Sequence, residues 1–325
     1  MRVLVVGGAG YIGSVTVDQL VAAGYDVTVI DSLVSGHAEA VNGECEFVHA
    51  DVRDEAALGR LFAAHNFHAV INYGGYIQAP ESMQQPGRYF ANNITGAIAI
   101  LNAMVTYDVT RHVFSSSAAV YGEPESLPIT EGARCLPVNP YGQSKLIVEQ
   151  MLPWYESRFG LRSVSLRYFN AAGASADRGE DHRPETHLIP NILQVALGKR
   201  EVISLFGTDY PTPDGTCVRD YVHVEDLAAG HLLALDYSEK ASGAFNLAVG
   251  RGFSNREIIE ATRRVTGHEI PLNEEGRRPG DPAELVASSE KARSELGWRV
   301  QYDDPETIIE TSWRWMQAHP DGYPD

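Results

Sequence analysis

From residue 2 to residue 167, short apolar runs alternate with amphipathic segments, and this alternation leaves few architectures open. Residues 2–6, 27–30, 45–49, 68–72, 112–115 and 163–167 read as strands, with helical patterns at 12–23, 55–65, 87–107 and 141–159. Strands bounded by turn signals and separated by helices build βαβ units, hence a parallel sheet with helices on both faces. The expected class is α/β, a doubly wound parallel sheet. After residue 170 the pattern loosens, with proline, glycine and charge gathered at 173–185, 211–215 and 274–282. Helical patterns at 189–198, 224–237 and 255–266 lie among short strands. We expect a main domain over 1–170 and a smaller mixed α/β lobe, mainly within 171–325. Segments near 220–248 and 286–302 are expected to return to the main sheet.

Composition narrows the partners. The 325 residues are 44% hydrophobic and 21% charged, as in ordinary globular chains, and carry a formal net charge of −17. That balance argues against broad binding to nucleic acid or an anionic membrane, although a few local arginines can still bind an anionic substrate. Cys45, Cys135 and Cys217 are odd in number and widely spaced, so neither a disulfide framework nor a zinc site follows, and no metal is expected. The chain opens on a strand with no signal peptide before it, and no apolar run reaches the length of a membrane span. The expected location is cytoplasmic.

The first turn carries chemistry. Gly7, Gly10 and Gly13 form G-x-x-G-x-x-G directly after a strand and before a helical pattern. Such a turn brings backbone amides and a helix N-terminus up to a pyrophosphate, the Rossmann arrangement. A turn without ligand is the plainer reading. Asp31 ends the second strand near the spacing at which a carboxylate meets adenosine ribose hydroxyls, which favours NAD over NADP. A turn or helix cap is its alternative.

Tyr141 and Lys145 stand at helical i, i+4 spacing, so phenol and ammonium share a face. A phenol ionises near a pH of about 10, and an adjacent ammonium with an oxidised nicotinamide would favour the phenolate. Ser117 lies just beyond the apolar run ending at Phe114, where open α/β sheets build their sites. There it either caps the next turn or hydrogen-bonds a substrate oxygen shared with the tyrosine.

In this order the glycine turn, Asp31, Ser117, Tyr141 and Lys145 resemble the extended short-chain dehydrogenase/reductases. Within them, the closest likeness is to the branch that epimerises nucleotide sugars at C4′. The stretches FANNITG, FSSSAAVYG, PYGQSKLIVE, RYFNAAG, FGTDYPTPDGTCVRDYVH and RRPGD carry the resemblance over essentially the whole chain. It implies Tyr141 as acid–base residue, Lys145 on the nicotinamide ribose, and Ser117 on the 4′-oxygen. Tyr11, Ile12, Asp31, Ser32, Asp51, Val52, Tyr73, Gly74, Gly75, Asn92 and Phe169 match cofactor-lining positions. Asn170, His187 and Leu188 match surroundings of the diphosphate, and Ser204, Leu205 and Phe206 a uracil-binding stretch. Arg219, Tyr221, Arg278 and Asp281 match the uridine diphosphate clamp. A surface salt bridge is the alternative for either arginine; arginine also suits phosphate by bidentate bonding.

The implied reaction interconverts UDP-galactose and UDP-glucose with tightly held NAD that is not consumed. The partner implied besides the UDP-hexose is a second copy of the chain, paired through the helices at 87–107 and 141–159. The chain departs from the pattern at Asn72-Tyr73, where His-Phe is usual, and at Ile77, often a lysine. Leu285 stands where residue size governs access of a 2-N-acetyl group, so UDP-N-acetylhexosamine joins UDP-pentose and UDP-uronate as an alternative substrate. Ser117-Ala118-Ala119 lacks the acid that a 4,6-dehydratase uses to eliminate water.

Overall fold

The computed structural model describes residues 1–278 and 281–324. Pro279 and Gly280, within the RRPGD stretch, and Asp325 lie outside the described residues. In the first half β1 (Arg2–Val6), α1 (Tyr11–Ala22), β2 (Asp26–Asp31), β3 (Glu46–His49), α2 (Glu55–Ala64) and β4 (Ala69–Asn72) follow in turn. Next come α3 (Ala79–Gln84), α4 (Pro86–Thr106), β5 (Arg111–Ser115), α5 (Pro140–Phe159) and β6 (Arg162–Tyr168). The second half holds β7 (Asn170–Ala172), α6 (Leu188–Ala196), β8 (Ile203–Phe206), β9 (Val218–His223), α7 (Val224–Tyr237) and β10 (Gly243–Leu247). It ends with β11 (Gly252–Ser254), α8 (Asn255–Thr266), β12 (Leu272–Glu275), β13 (Glu284–Leu285) and α9 (Pro305–Ala318).

Seven strands form one sheet in the order β10-β6-β5-β4-β1-β2-β3, every pairing parallel. This is the doubly wound sheet expected from the alternation. Successive side chains of a strand face opposite sides, and β1 shows what each side holds. Val3 and Val5 pack with Val17 and Leu20 of α1 and Leu227 and Leu235 of α7. Leu4 and Val6 pack with Leu58 and Phe62 of α2, Ile100 and Met104 of α4, and Val148 and Leu152 of α5. Burial on both faces explains why these strands read as continuous apolar runs. Trp298 is fully buried in the first of these cores, where its indole N–H donates to the Asp226 carbonyl at 2.8 Å.

Local chemistry sets the limits of α5. Asn139 accepts the Gly142 N–H at 2.8 Å, Pro140 occupies the first turn, and Gly160 ends the helix in the left-handed region at φ 68°. The Tyr141–Lys145 pair is thereby held in the first turn and a half of a rigid helix.

The smaller sheet runs β11-β9-β13, with β7 also paired to β9. Its core gathers Ile192 and Leu193 of α6, Leu205 of β8, Ile258 and Ile259 of α8, and Ile308 and Ile309 of α9. One residue separates β6 from β7, and Asn170 pairs in register with Tyr221. The main sheet therefore runs almost directly into the smaller one, and a cleft lies along the C-terminal ends of β1, β2, β4 and β6. Open α/β sheets bind ligands there, beside the point where strand order reverses.

Candidate active site

The glycine turn forms one end of the cleft. Gly7 is left-handed at φ +76°, and a Cβ on Gly13 would stand 2.2 Å from the Gly7 carbonyl oxygen. A Cβ on Gly7 would meet the Gly74 nitrogen at 3.1 Å. The turn, the start of α1 and the loop after β4 thus approach one another through bare backbone. Gly10 caps α1 without a side-chain acceptor, and Gly10, Tyr11, Ile12 and Gly13 all line the cleft. An uncovered helix N-terminus in a side-chain-free cradle fits a pyrophosphate.

Asp31 caps the turn and also lines the cleft. Its carboxylate accepts the Ala9 N–H at 3.0 Å and the Leu33 N–H at 2.9 Å. Burial raises its pKa, and these amides pull it back. Ser32, Asp51, Val52, Tyr73, Gly74, Gly75, Asn92 and Phe169 line the same cleft. Arg53 holds Asp51 through contacts of 2.5 to 3.1 Å, and the Tyr73 hydroxyl meets Thr16 at 2.6 Å. Asp31→Ala leaves two amides without their acceptor. We expect roughly 10- to 100-fold weaker NAD binding, each tenfold being about 1.4 kcal/mol, with discrimination against NADP relaxed, read by calorimetric titration of both cofactors.

Ser117, in the turn just after β5, and Tyr141 of α5 face the cleft. The Ser117 hydroxyl oxygen accepts the Ala119 N–H at 3.2 Å, so the capping reading is realised beside any role toward substrate. The Tyr141 phenol shares this cleft with Ser117, whose hydroxyl lowers its pKa. Lys145 is buried behind them: Nζ donates to the Ser115 carbonyl at 2.8 Å and lies 3.5 Å from where a Cβ on Gly75 would stand.

Here the electrostatics differ from the sequence expectation. Burial pushes the Tyr141 phenol above its ordinary value, and only the Ser117 hydroxyl draws it down. The Lys145 ammonium stands 6.0 Å from the tyrosine ring centre and spends its short contact on Ser115. In the chain by itself, burial holds the phenol above its ordinary value.

Burial also pushes Lys145 down from 10.5 to about 8, against the pull of Glu149. In that window the folded protein binds fewer protons than the unfolded chain, so stability rises with pH and the cost of the buried ammonium is complete below it. Lys145→Met should remove this term. Urea midpoints of the wild type should rise relative to the variant between pH 8 and 10.5 in cofactor-free protein.

Asn170, His187, Leu188 and Tyr221 complete the cleft wall. Ser204, Leu205, Phe206, Arg219, Arg278 and Asp281 stand apart from it, in the smaller lobe. Arg219 pairs with Asp281 at 3.5 Å, and the Arg278 guanidinium lies 3.9 Å from the Phe206 ring centre. Leu205 is 1% exposed, so any contact it makes outside the core is through its main chain.

Sequence reasoning passed over Tyr168, Glu180 and His182, which also line the cleft. Tyr168 meets the Ser115 hydroxyl at 2.5 Å and stands in RYFNAAG directly before Phe169 and Asn170. Glu180 and His182 belong to Glu-x-His-x-x-Glu-x-His, a spacing visible in the sequence but lost among loop residues.

Residues 3–248 match the sequence signature of the NAD dependent epimerase/dehydratase family. The chain belongs to that family. Among its relatives is the UDP-glucose 4-epimerase of Lacticaseibacillus casei, 51% identical over 100% of this chain and 99% of that protein. The epimerase of Bifidobacterium longum in complex with NAD+ and UDP superposes with a TM-score of 0.96. It is 38% identical, covering 99% of this chain and 100% of that one. The epimerase of Brucella ovis in complex with NAD gives a TM-score of 0.93 at 45% identity, covering 97% and 98% of the two chains. The family is thus shared across both lobes, not only across the sheet.

Proposed function

We infer that this chain is an NAD-dependent isomerase that interconverts UDP-galactose and UDP-glucose, the reaction of a UDP-glucose 4-epimerase. One observation carries the reading: the glycine cradle, Ser117 and Tyr141 share a cleft in a chain 51% identical end to end to such an enzyme. NAD, when bound, supplies the acceptor and donor of hydride at C4′. Gly7, Gly10, Gly13 and the amides opening α1 would hold its pyrophosphate, and Asp31 its adenosine ribose. Tyr11, Ile12, Ser32, Asp51, Val52, Tyr73, Gly74, Gly75, Asn92 and Phe169 would line the rest, with Lys145 on the nicotinamide ribose.

Tyr141 takes the proton of the 4′-hydroxyl and returns it after the ketosugar has turned, while Ser117 hydrogen-bonds the 4′-oxygen. Asn170, His187 and Leu188 surround the diphosphate; Ser204, Phe206 and the Leu205 main chain serve uracil. Arg219, Tyr221, Arg278 and Asp281 close over the nucleotide. For the division of labour, we read 1–170 as the cofactor domain, with 220–248 and 286–302 returning to it. The rest of 171–325 is read as the sugar-nucleotide lobe. The seating of β10 and Trp298 in the main sheet and core supports this.

Purified protein given UDP-galactose without added cofactor should release UDP-glucose, identified chromatographically. No UDP-glucose would sink the reading, and NADH accumulating in solution would indicate an ordinary dehydrogenase. We place the enzyme in the cytoplasm, in keeping with three free thiols. Among the described residues no helix is long and apolar enough to cross a membrane. We also propose a homodimer through α4 and α5, where Trp154 is 75% and Phe159 47% exposed on the long helix beside the site. Light scattering should give twice the 35.5 kDa chain mass, and Trp154→Glu should shift the population toward monomer. A monomer at all concentrations overturns the dimer.

A further inference from the structure

The loop joining β7 to α6 brings together four side chains that the proposed reaction does not use as a set. One ring nitrogen each of His182 and His187 and one carboxylate oxygen each of Glu180 and Glu185 all lie within 4.8 Å of one another. His182 Nδ1 stands 3.1 Å from Glu180 and 3.7 Å from Glu185, and His187 Nδ1 is 3.5 Å from Glu185 and in short contact with Glu180. Four ligands at zinc's N and O bond lengths around a tetrahedral centre are separated by about 3.4 Å. Three of these gaps, 3.1, 3.5 and 3.7 Å, lie about that edge length, and side-chain rotations would adjust the others.

The burial is that of a built site. The Glu180 and Glu185 side chains are 7% and 6% exposed, and their ion-pair partners are the two imidazoles. Two carboxylates this close in low dielectric repel unless a cation lies between them. His182 Nδ1 is buried from solvent and faces both carboxylates, yet neither contact has hydrogen-bond geometry. A buried ring nitrogen aimed between two carboxylate oxygens in this way suits a shared ion. One Glu185 oxygen is already fixed by the Thr186 and His187 amides at 2.7 Å each, which orients the carboxylate before any ion arrives.

We propose that Glu180, His182, Glu185 and His187 bind a divalent transition-metal ion, with zinc the best match to the donor set. Two imidazoles select against magnesium and calcium, which take all-oxygen shells, and four mixed N and O donors suit tetrahedral zinc. The ion's work is structural. The segment 173–187 has neither helix nor strand beyond Gly173, yet Glu180, His182 and His187 form part of the cleft wall. Side-chain tethers to other elements hold its first part, among them Tyr11 OH to the Gly173 carbonyl at 2.5 Å, Arg178 to Asp18 at 3.0 Å and Asp181 to the Tyr323 amide at 3.0 Å. An ion held here would tie that wall to the first turn of α6, which His187 caps.

The inference stands on loop geometry and does not depend on the isomerase reading. Its test is made on the full chain, purified without a metal-chelating column or histidine tag. Elemental analysis after gel filtration is expected to find about one zinc per chain, and chelator-stripped protein to recover it in competition with a chromogenic indicator. Millimolar magnesium should not compete. His182→Ala and Glu185→Gln should each weaken zinc binding roughly 100-fold or more, and zinc should raise the melting temperature of the parent only. Glu185→Gln keeps the shape of the side chain and an oxygen for the two amides, so it serves if the alanine variant fails to fold. Zinc at background with no competition overturns the proposal, leaving a protonated histidine–carboxylate cluster. Equal zinc affinity in parent and variants overturns it too, placing the metal elsewhere.

Discussion

Tyr141→Phe should lower kcat by roughly 10²- to 10⁴-fold while NAD binding stays within a few-fold of the wild type. The ring is 9% exposed and packed at the start of α5, so phenylalanine keeps its place and only the hydroxyl is lost. Ser117 stays anchored through the Ala119 amide, so the 4′-oxygen keeps one of its two partners. Stability should fall by at most about 1 kcal/mol, the order of a single hydroxyl's net contribution. Tyr168 is the control. It is a second buried phenol on the same cleft, raised by burial and by Tyr141, with its hydroxyl committed to Ser115. If Tyr168→Phe abolishes turnover and Tyr141→Phe leaves kcat within tenfold, the proton carrier has been assigned to the wrong residue.

Arg167→Leu is expected to destabilise the fold by about 3–5 kcal/mol, the range for breaking a buried ion pair from one side. Arg167 and Glu149 side chains are 9% and 8% exposed, joined by contacts of 2.5, 3.0 and 3.2 Å. Glu149 also accepts the Ser116 hydroxyl at 2.5 Å, and Arg167 donates to the Tyr121 hydroxyl at 3.0 Å. Removing the guanidinium strands a carboxylate one helical turn beyond Lys145, which it already influences. Activity should therefore fall along with stability. Glu149→Gln combined with Arg167→Leu should recover most of the loss, because the stranded charge is then gone. Denaturant titration of the three proteins decides the matter; a loss below about 1 kcal/mol in the single variant would mean the pair is not desolvated as its burial implies.

The parts of the fold legible in the sequence are those where one segment carries its own signal. β1, β4 and β5 are buried on both faces and so read as apolar runs, and α5 announces itself through Asn139, Pro140 and Gly160. β7, β9 and β13 escape such reading. β7 and β13 are only three and two residues long, and all three persist because Asn170 pairs with Tyr221 and Val218 with Glu284, partners tens of residues apart. At the site, the Tyr141–Lys145 spacing puts both on one face, yet spacing says nothing of what else competes for the ammonium. The Ser115 carbonyl does, and at the phenol burial is the larger effect. Glu180, His182 and Glu185 escaped for a related reason: an irregular loop has no period, so the spacing of these residues and His187 does not show that their side chains converge.

The edge pairing of β6 with β10 has a consequence for the newborn chain. Ser165 lies opposite Ala244, about 80 residues further on. At roughly 5–20 residues per second, a ribosome takes on the order of 4–16 s to deliver the covering strand. Throughout that interval β6 presents a row of unpaired amides and carbonyls, a template for any other extended peptide nearby. Translation tempo across residues 169–247, and any chaperone that guards this edge meanwhile, should therefore govern the yield of folded protein.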